Sequence, residues 1–477
     1  MKKVLLSILL TCLLFSGCQK TDSTDILVKE DIDTFNYLFE NAYVFYDDLQ
    51  SQRAFKFKPD RIFKQYKKYL KKWPESHVEN GINQSALMNA LAVFLYDIKA
   101  IDNHLSLIGA KQSWTVYPKN VVYTSDYYFS KQNGLFILSE SPDQSLNGKT
   151  YTGNPEDIKK VIRNKKEIYQ FAPNFREENR NEAVLLLEGK KHKIPIKHKY
   201  NRNNEDELFE LKETQDTLYF KINSFSITIG SDEHEKFMSV LKEVSGIVES
   251  KKNLVLDLRG NHGGNGYYVY QLIAALYNIW DDEFDKNQLM EFLNYQNYGT
   301  IYIDSEAVAK ARYDYAVRYY NMEPDYIEET KEYYEYLKGT GKREIGGDDN
   351  VNMTILPQYK KKKLDTKIFV ITDYDTASAS EKTIGLLYMM DKENVTLIGL
   401  NTAGALVGVD VLSYELPNSK ILLTLTARSN KKTIICSLVD SWKGENYGFT
   451  PDYWVTDDSF SGTVEFLSGD KEIVSFF

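Results

Sequence analysis

The sequence predicts an α/β fold built on a layer of parallel strands. Two observations support this class: buried-type strands alternate with helices after Asp216, and residues 366–408 repeat the order strand, turn, helix, strand. Helices are expected on both faces of such a sheet. In the region that begins at Asp216, the predicted elements are strands at 218–222 and 253–258 and helices at 232–249 and 267–277.

Composition excludes some classes of function. The chain has 477 residues, enough for two or three domains, and 42% of them are hydrophobic, as in ordinary globular proteins. Its formal net charge is −9 with both signs interspersed, which argues against a nucleic-acid partner, since such proteins concentrate basic residues on one face. No internal stretch approaches the ~20 apolar residues that a membrane-spanning helix needs.

The N-terminus is typical of an export signal. Lys2 and Lys3 precede an apolar run that ends in Phe15-Ser16-Gly17-Cys18. This pattern resembles a bacterial lipoprotein signal, which implies removal of residues 1–17, lipidation of Cys18 and anchoring to a membrane of the cell envelope. A plain signal peptide cleaved elsewhere is the alternative. With Cys12 lost and Cys18 lipidated, Cys436 remains alone, so no intramolecular disulfide is expected.

Three regions follow the signal. Residues 18–30 are polar and are interpreted as a tether. Residues 31–110 have apolar residues at three- and four-residue intervals, which predicts a helical domain. Residues 111–205 contain short β-like runs at 134–138 and 183–187 and are predicted to form a small β-rich domain, with a hairpin turn after the second run.

Residues 206–477 are predicted to form the α/β domain. Within it, residues 281–363 are rich in tyrosine and acidic side chains and interrupt the alternation, so we interpret them as a helical insertion. Tyrosine suits a lid or a substrate-facing wall, and it also suits a solvent-facing amphipathic hairpin. A further β-like run is present at 421–426.

The segment 366–408 contains a serine turn between a strand and a helix. A buried-type strand at 367–373 is followed by Thr376-Ala377-Ser378-Ala379-Ser380, a helix from about Glu381 to Asp391 and a strand at 395–400. A hydroxyl at a helix N-terminus lies where backbone N–H groups favour developing negative charge. On this segment alone, the commoner role is a helix cap at Ser378 or Ser380, with Glu381 completing a capping box.

A glycine-rich turn at 257–264 lies after one strand and before a helix. Its N–H groups could face an oxyanion, but its sequence is neither a P-loop nor a dinucleotide fingerprint. Arg259 could bind a carboxylate or pair with Asp257. Among six histidines, His262 lies in this turn and His104 ends an apolar helix; from the residues alone, both fit core or capping roles.

The motifs DLRGNHGG, TASASE and IGLNTAG, in this order, resemble those of the tail-specific (C-terminal processing) serine peptidases. Members with a serine–lysine dyad have lysine at the position that corresponds to Ala405. This chain is therefore more similar to the tricorn-core-like branch, which uses serine, histidine and glutamate. The matching histidine lies in Asp102-Asn103-His104, and the matching glutamate is Glu445, in the sequence ENYGFTPD.

The resemblance implies a catalytic triad of Ser378, His104 and Glu445, with backbone N–H groups of Gly263 and Ala379 as the oxyanion hole. It implies a crotonase-like (ClpP-like) α/β core and a PDZ-like domain at 111–205, where we find no clear carboxylate-binding loop. The expected protein is a lipid-anchored serine endopeptidase that acts on peptides or unfolded proteins without metal or other cofactor. The alternatives are a catalytically silent peptide-binding lipoprotein and an esterase or amidase.

Overall fold

A computed structural model describes most of the chain. The described residues are 23–51, 57–72, 77–95, 102–115, 121–173, 180–200, 207–277, 300–319, 324–347, 364–431, 435–436, 439–456 and 460–477. The predicted signal peptide with Cys18, and much of the predicted insertion at 281–363, lie outside them. Two compact units divide the chain. The first comprises Met1–Ile98, Leu105–Thr115 and Ser413–Leu425; the second comprises Lys99–His104, Val116–Leu412 and Thr426–Phe477.

The first unit is mainly helical, as predicted for this part of the chain. Its helices pack around Phe35, Phe39 and Phe94, whose ring centroids lie 5.5 to 6.0 Å apart. The prediction of helix for residues 31–110 is wrong near the end of that range, where residues 106–108 form a strand. This strand pairs with Leu422–Thr424, and the long-range contact overrides local preference. Its elements are α1 (Ser23–Ala42), α2 (Tyr46–Ser51), α3 (Pro59–Leu70), β1 (Val78–Glu79), β2 (Ile82–Asn83), α4 (Gln84–Leu95), β3 (Ser106–Ile108) and β4 (Ser113–Thr115).

The second unit begins with the predicted β-rich region. Its strands are β5 (Val121–Thr124), β6 (Tyr128–Gln132), β7 (Leu135–Glu140), β8 (Ile158–Arg163), β9 (Lys166–Phe171), β10 (Glu182–Leu187), β11 (Lys190–Pro195) and β12 (Lys197–Tyr200). Four form an antiparallel sheet in the order β7-β6-β9-β8. The predicted hairpin turn is confirmed: Glu188 and Gly189 both have positive φ, as a two-residue type I′ turn requires.

The α/β class is confirmed by a six-stranded sheet in the second unit. The strand order is β13-β14-β15-β18-β19-β22, and every neighbouring pair is parallel except β13 with β14. The residues of β14 and β15 are buried throughout, which explains the apolar centres of these strands, 218–220 and 254–256. The strands are β13 (Phe209–Glu213), β14 (Thr217–Ile222), β15 (Asn253–Asp257), β18 (Lys367–Thr372), β19 (Val395–Gly399) and β22 (Tyr453–Trp454).

Helices connect these parallel strands. One face of the sheet presents alternate residues, including Val255, Phe369 and Ile398, to a cluster that contains Phe460 and Val464 of the C-terminal helix. This alternation is the two-residue period of a strand. The helices are α5 (Asp232–Ile247), α6 (Gly266–Leu276), α9 (Ala379–Asp391) and α10 (Phe460–Ser468). Among the described residues, none of the helices is both long and apolar enough to cross a membrane.

The insertion is only partly helical. Two described helices, α7 (Glu306–Tyr319) and α8 (Pro324–Leu337), pack together, and they lie between the antiparallel strands β16 (Ile301–Ser305) and β17 (Arg343–Gly347). Tyr315, Tyr326 and Tyr336 are exposed, which favours the solvent-facing hairpin over a lid. Two long strands, β20 (Gly408–Glu415) and β21 (Leu422–Ser429), contribute residues to both units. The β-like run predicted at 421–426 lies mainly in β21.

Candidate active site

Three neighbouring strands end at the candidate site. β15, β18 and β19 are parallel neighbours, so their carboxyl ends lie at the same edge of the sheet. The glycine turn follows β15, the serine turn follows β18, and the Asn401–Ala405 segment follows β19. In open α/β sheets, ligands bind at the carboxyl ends of the strands.

Ser378 has an unusual backbone conformation at the start of α9. Its φ is 54° and its ψ is −114°, a region that non-glycine residues rarely adopt and that costs about 1–3 kcal/mol. Its neighbours Ala377 and Ala379 are buried, whereas Ser378 itself is half-buried. Such a sharp strand-to-helix turn presents a serine hydroxyl to substrate in known hydrolases. Ser380 differs, because it is buried and its hydroxyl donates to the Asn261 carbonyl at 3.1 Å.

The glycine turn packs directly against the serine turn. A Cβ on Gly263 would lie 2.8 Å from the Cβ of Ser378 and 2.8 Å from the nitrogen of Ala379, and the φ of Gly263 is +93°. Only glycine fits this close approach in this conformation. The amide of Ala377 donates to the carbonyl of Asn261 at 2.9 Å, which further ties the two turns together.

The amides of the two predicted oxyanion donors, Gly263 and Ala379, have different surroundings. Ala379 is the first residue of α9, where backbone N–H groups have no partner within the helix. The Gly263 amide instead donates to the side-chain oxygen of Asn261 at 2.9 Å. This bond engages the Gly263 amide within its own turn, and the oxyanion-hole role of both residues stays a prediction.

Arg259 holds the glycine turn rather than facing the site. Its guanidinium forms a two-point hydrogen bond with Asp257, with Nε 2.9 Å from Oδ1 and Nη2 2.5 Å from Oδ2, and it stacks 4.4 Å from the ring of Phe460. The sequence left two roles open for Arg259, binding a carboxylate ligand or pairing with Asp257, and the pairing is confirmed. Although burial opposes ionisation, the Arg259 charge and its hydrogen bonds lower the pKa of Asp257.

Asp373 joins the two turns from the end of β18. Its carboxylate accepts the amide of Gly260 at 3.1 Å and the amides of Asp375 and Thr376 at 3.0 Å. The carboxylate is fully buried, and this burial raises the pKa of Asp373 to about 6. The group therefore titrates just below neutral pH at the junction of both motifs.

Glu381 is the hydrogen-bonding centre of the serine turn. One oxygen accepts the amides of Ser378 at 3.0 Å and Ala405 at 2.7 Å. The other accepts the Gly404 amide at 2.8 Å and the Thr402 hydroxyl. From the sequence, only a capping role is predicted for Glu381. Its position three residues after Ser378 is the signal for the first of these four bonds. Burial raises the pKa of Glu381, and the four donors oppose that shift.

The turn that contains His104 is fixed to the same Thr402–Ala405 segment. The buried side chain of Asn103 donates to the carbonyls of Ala403 at 3.0 Å and Gly404 at 2.8 Å. His104 is nearly buried, with 8% of its side chain exposed, whereas His262 is exposed. Of the two turn histidines, His104 therefore has the environment of a positioned base. Ala405 lies in a buried cluster with Ala377 and Ala403.

Two carboxylates flank His104. One ligand-type atom each of Asp102, His104 and Glu445 lies within 4.8 Å of the other two, which is also a spacing that could hold a metal ion. The Nδ1 of His104 is 3.6 Å from Oδ1 of Asp102. Glu445 accepts the amide of Asn103 at 2.9 Å and that of Val407 at 3.0 Å. Burial, followed by the negative charge of Asp102, raises the pKa of Glu445 well above its usual range.

The predicted residues thus fall into two groups. Gly263, Ser378 and Ala379 are in direct contact, and His104 lies beside Glu445. Both groups are fixed to the Thr402–Ala405 segment, the first by Glu381 and the second by Asn103.

Comparison with known proteins identifies the family. The family model of peptidase family S41 matches residues 216–454, which include both turns and Glu445. The chain therefore belongs to peptidase family S41 and is a serine peptidase, a hydrolase whose substrates are peptides or proteins. No curated protein matches the chain significantly.

Several solved structures are similar to this chain at low identity. Mature CPAF complexed with lactacystin is 11% identical, with a TM-score of 0.41 over 95% of this chain and 98% of that one. The photosystem II D1 C-terminal processing protease is 14% identical, with a TM-score of 0.32 over 91% and 94%. A lipoprotein from Streptococcus agalactiae is 19% identical, with a TM-score of 0.28 over 57% and 71%. These similarities are too weak to establish a shared activity.

Proposed function

We propose that this peptidase is an endopeptidase with Ser378 as nucleophile, His104 as general base and Glu445 as the acid that fixes the imidazole. The observation that carries the proposal is the backbone of Ser378, with φ 54° at the N-terminus of α9, in a half-buried residue between buried neighbours. Strain of this size persists only where surrounding contacts enforce it, and it concentrates at functional sites. Glu381 and Gly263 supply those contacts.

The proposed reaction proceeds through an acyl-enzyme. The hydroxyl oxygen of Ser378 attacks the peptide carbonyl carbon while its proton passes to the imidazole of His104. The Ala379 N–H donates to the resulting oxyanion. The C–N bond breaks as His104 returns the proton to the leaving amine. Water, deprotonated by His104, then hydrolyses the ester and restores Ser378.

The proposed substrates are peptides or unfolded proteins. The residues on either side of Ser378 are buried and the glycine turn packs against it, so an extended chain reaches the hydroxyl more readily than a folded surface does. Comparing hydrolysis of an unfolded protein such as casein with that of a simple ester separates this proposal from an esterase or amidase. Turnover of the ester alone would reject it.

We also propose that the protein is anchored to a bacterial membrane of the cell envelope through Cys18. The support is the charged, apolar and small-residue pattern of residues 1–18. Expression of the full chain should yield a mature form that begins at a lipidated Cys18 and partitions into detergent, whereas Cys18→Ser should remain unprocessed. A mature N-terminus at another residue would refute the anchor and leave the peptidase proposal intact.

The test of the catalytic residues is intact-mass labelling of residues 19–477 with a fluorophosphonate, which reacts only with an activated serine. Wild type should gain one adduct, and Ser378→Ala should gain none. The labelling rate of His104→Ala should be lower by about 10²-fold or more. The labelling rate of Glu445→Gln should also be lower than that of wild type.

Two matched variants serve as controls. Ser380→Ala changes a serine in the same turn whose hydroxyl donates to a carbonyl, and His262→Ala changes an exposed histidine. Both should still label. Absence of an adduct on folded wild-type protein would reject the endopeptidase proposal in favour of a silent peptide-binding lipoprotein.

A further inference from the structure

Asp102 is a buried carboxylate that the proposed triad does not use. Its side chain has no exposed area, and its Oδ1 accepts the His104 amide at 2.9 Å while lying 3.6 Å from Nδ1 of the same residue. Its Oδ2 accepts the Thr426 hydroxyl at 2.7 Å. Among the described residues, the ionisable basic side chain found within 4 Å of the Asp102 carboxylate is that of His104. Burying a carboxylate costs free energy unless the group is paired or hydrogen-bonded, so the contact with His104 matters for Asp102.

Glu445 is engaged differently. Each of its oxygens accepts a backbone amide, one from Asn103 in the His104 turn and the other from Val407 just before β20. These two bonds join chain segments that are far apart in sequence. Glu445 therefore acts as a clamp that sets the position of the turn.

The charge of Asp102 also affects the pKa of Glu445. Two carboxylates this close repel each other, and the Asp102 charge is one cause of the raised pKa of Glu445. Glu381, on α9, adds further negative charge near Glu445. By contrast, Oδ1 of Asp102 lies 3.6 Å from Nδ1 of His104.

We propose that Asp102 is a positioning residue of the active site, whose carboxylate fixes the tautomer of His104 and stabilises the imidazolium. On this proposal Asp102 replaces Glu445 as the acid beside the imidazole in the triad proposed above, and Glu445 acts by clamping the turn. The proposal rests on the proposed function for its catalytic meaning, but the pairing itself does not require turnover. In a serine hydrolase the acid beside Nδ1 keeps Nε2 free to accept the serine proton. Gly408 supports this arrangement, because a Cβ there would lie 2.6 Å from Oδ1 of Asp102.

The test measures the imidazole pKa of His104 by NMR of ¹⁵N-histidine-labelled protein. The chain has six histidines, so the signal is assigned by its loss in His104→Ala. Measurements use the Ser378→Ala background, where no turnover occurs. Asp102→Asn keeps an acceptor for the His104 amide but removes the charge, and it should lower the His104 pKa by about one unit or more.

Glu445→Gln is the matched comparison and should change the His104 pKa less than Asp102→Asn does. An equal or larger shift in Glu445→Gln would overturn the proposal. If Asp102→Asn does not fold, Asp102→Ser serves the same purpose, since serine is neutral and can accept the same amide. Asp102→Ser should also lower the His104 pKa, and by more than Glu445→Gln changes it.

A second measurement connects the pairing to catalysis. In protein with Ser378 intact, the fluorophosphonate labelling rate of Asp102→Asn at pH 7 should fall by about 10- to 100-fold, and the acid limb of its pH profile should move to lower pH. A normal pH profile would contradict the positioning role. If wild type does not label but Asp102→Asn still shifts the His104 pKa, the proposed function fails while the pairing stands.

Discussion

The carboxylate of Glu381 accepts the backbone N–H of Ser378 at 3.0 Å and thereby holds that residue in its positive-φ conformation. The same carboxylate accepts three further donors from Thr402, Gly404 and Ala405. The serine turn and the segment after β19 are therefore joined through one buried side chain.

Glu381→Gln should destabilise the protein and reduce labelling of Ser378. A glutamine has one oxygen acceptor, and its NH₂ group would face donors, so we expect a loss of about 2–4 kcal/mol in the free energy of unfolding. Urea denaturation measures this loss, and the fluorophosphonate rate reports the turn. Glu393→Gln, an exposed position after α9, is the control and should change neither. Unchanged stability in Glu381→Gln would contradict this role of the carboxylate.

Gly263→Ala should abolish labelling. The added methyl group would lie within 3 Å of both Ser378 and Ala379, in a backbone conformation that alanine rarely adopts. A loss of about 2–4 kcal/mol in the free energy of unfolding is expected if the turns do not separate. Gly266→Ala is the control: no heavy atom would lie within 4 Å of a Cβ added there, and its stability should be unchanged or about 0.5–1 kcal/mol higher. A fully active Gly263→Ala would disprove the close approach.

Replacing Ser378 tests the strain directly. Ser378→Gly and Ser378→Ala both lack the hydroxyl, but glycine adopts φ 54°, ψ −114° more readily than alanine. Ser378→Gly should therefore be more stable than Ser378→Ala by about 1 kcal/mol in chemical denaturation. The reverse order would show that the turn is not strained.

Asp373 should make stability depend on pH between about 4 and 6. A carboxyl whose pKa rises from 3.8 unfolded to about 6 folded binds its proton more tightly in the folded protein. Its contribution therefore favours folding at low pH and is lost as the pH rises through about 6, a change of about 3 kcal/mol. Other carboxyls, such as Asp257 with its lowered pKa, contribute with the opposite sign, so the wild type must be compared with Asp373→Asn.

Urea unfolding at pH 4.5 and pH 7 provides that comparison. The free energy of unfolding of wild type relative to Asp373→Asn should be smaller at pH 7 than at pH 4.5. A difference that is constant with pH would mean that Asp373 titrates in the folded protein as it does in the unfolded chain.

Local patterns predicted much of the α/β region. The helix at 379–391 and the strands at 253–257, 367–372 and 395–399 agree with the predicted elements to within two residues at each end. Buried parallel strands and helices of this length have strong periodicity, which local sequence records. The strand at 106–108 was missed because its conformation depends on pairing with residues more than 300 positions away.

The sequence by itself determined the order strand, turn, serine, helix and, through the three motifs, the family. It also indicated Ser378, His104 and Glu445, whose catalytic roles stay predictions. Only the tertiary structure decided that Glu381 gathers four donors, that Asn261 occupies the Gly263 amide and that Asp102 faces His104. The reason is physical: hydrogen bonds such as that from Asn103 to Glu445 join residues 342 positions apart, and a local pattern contains no information about such partners.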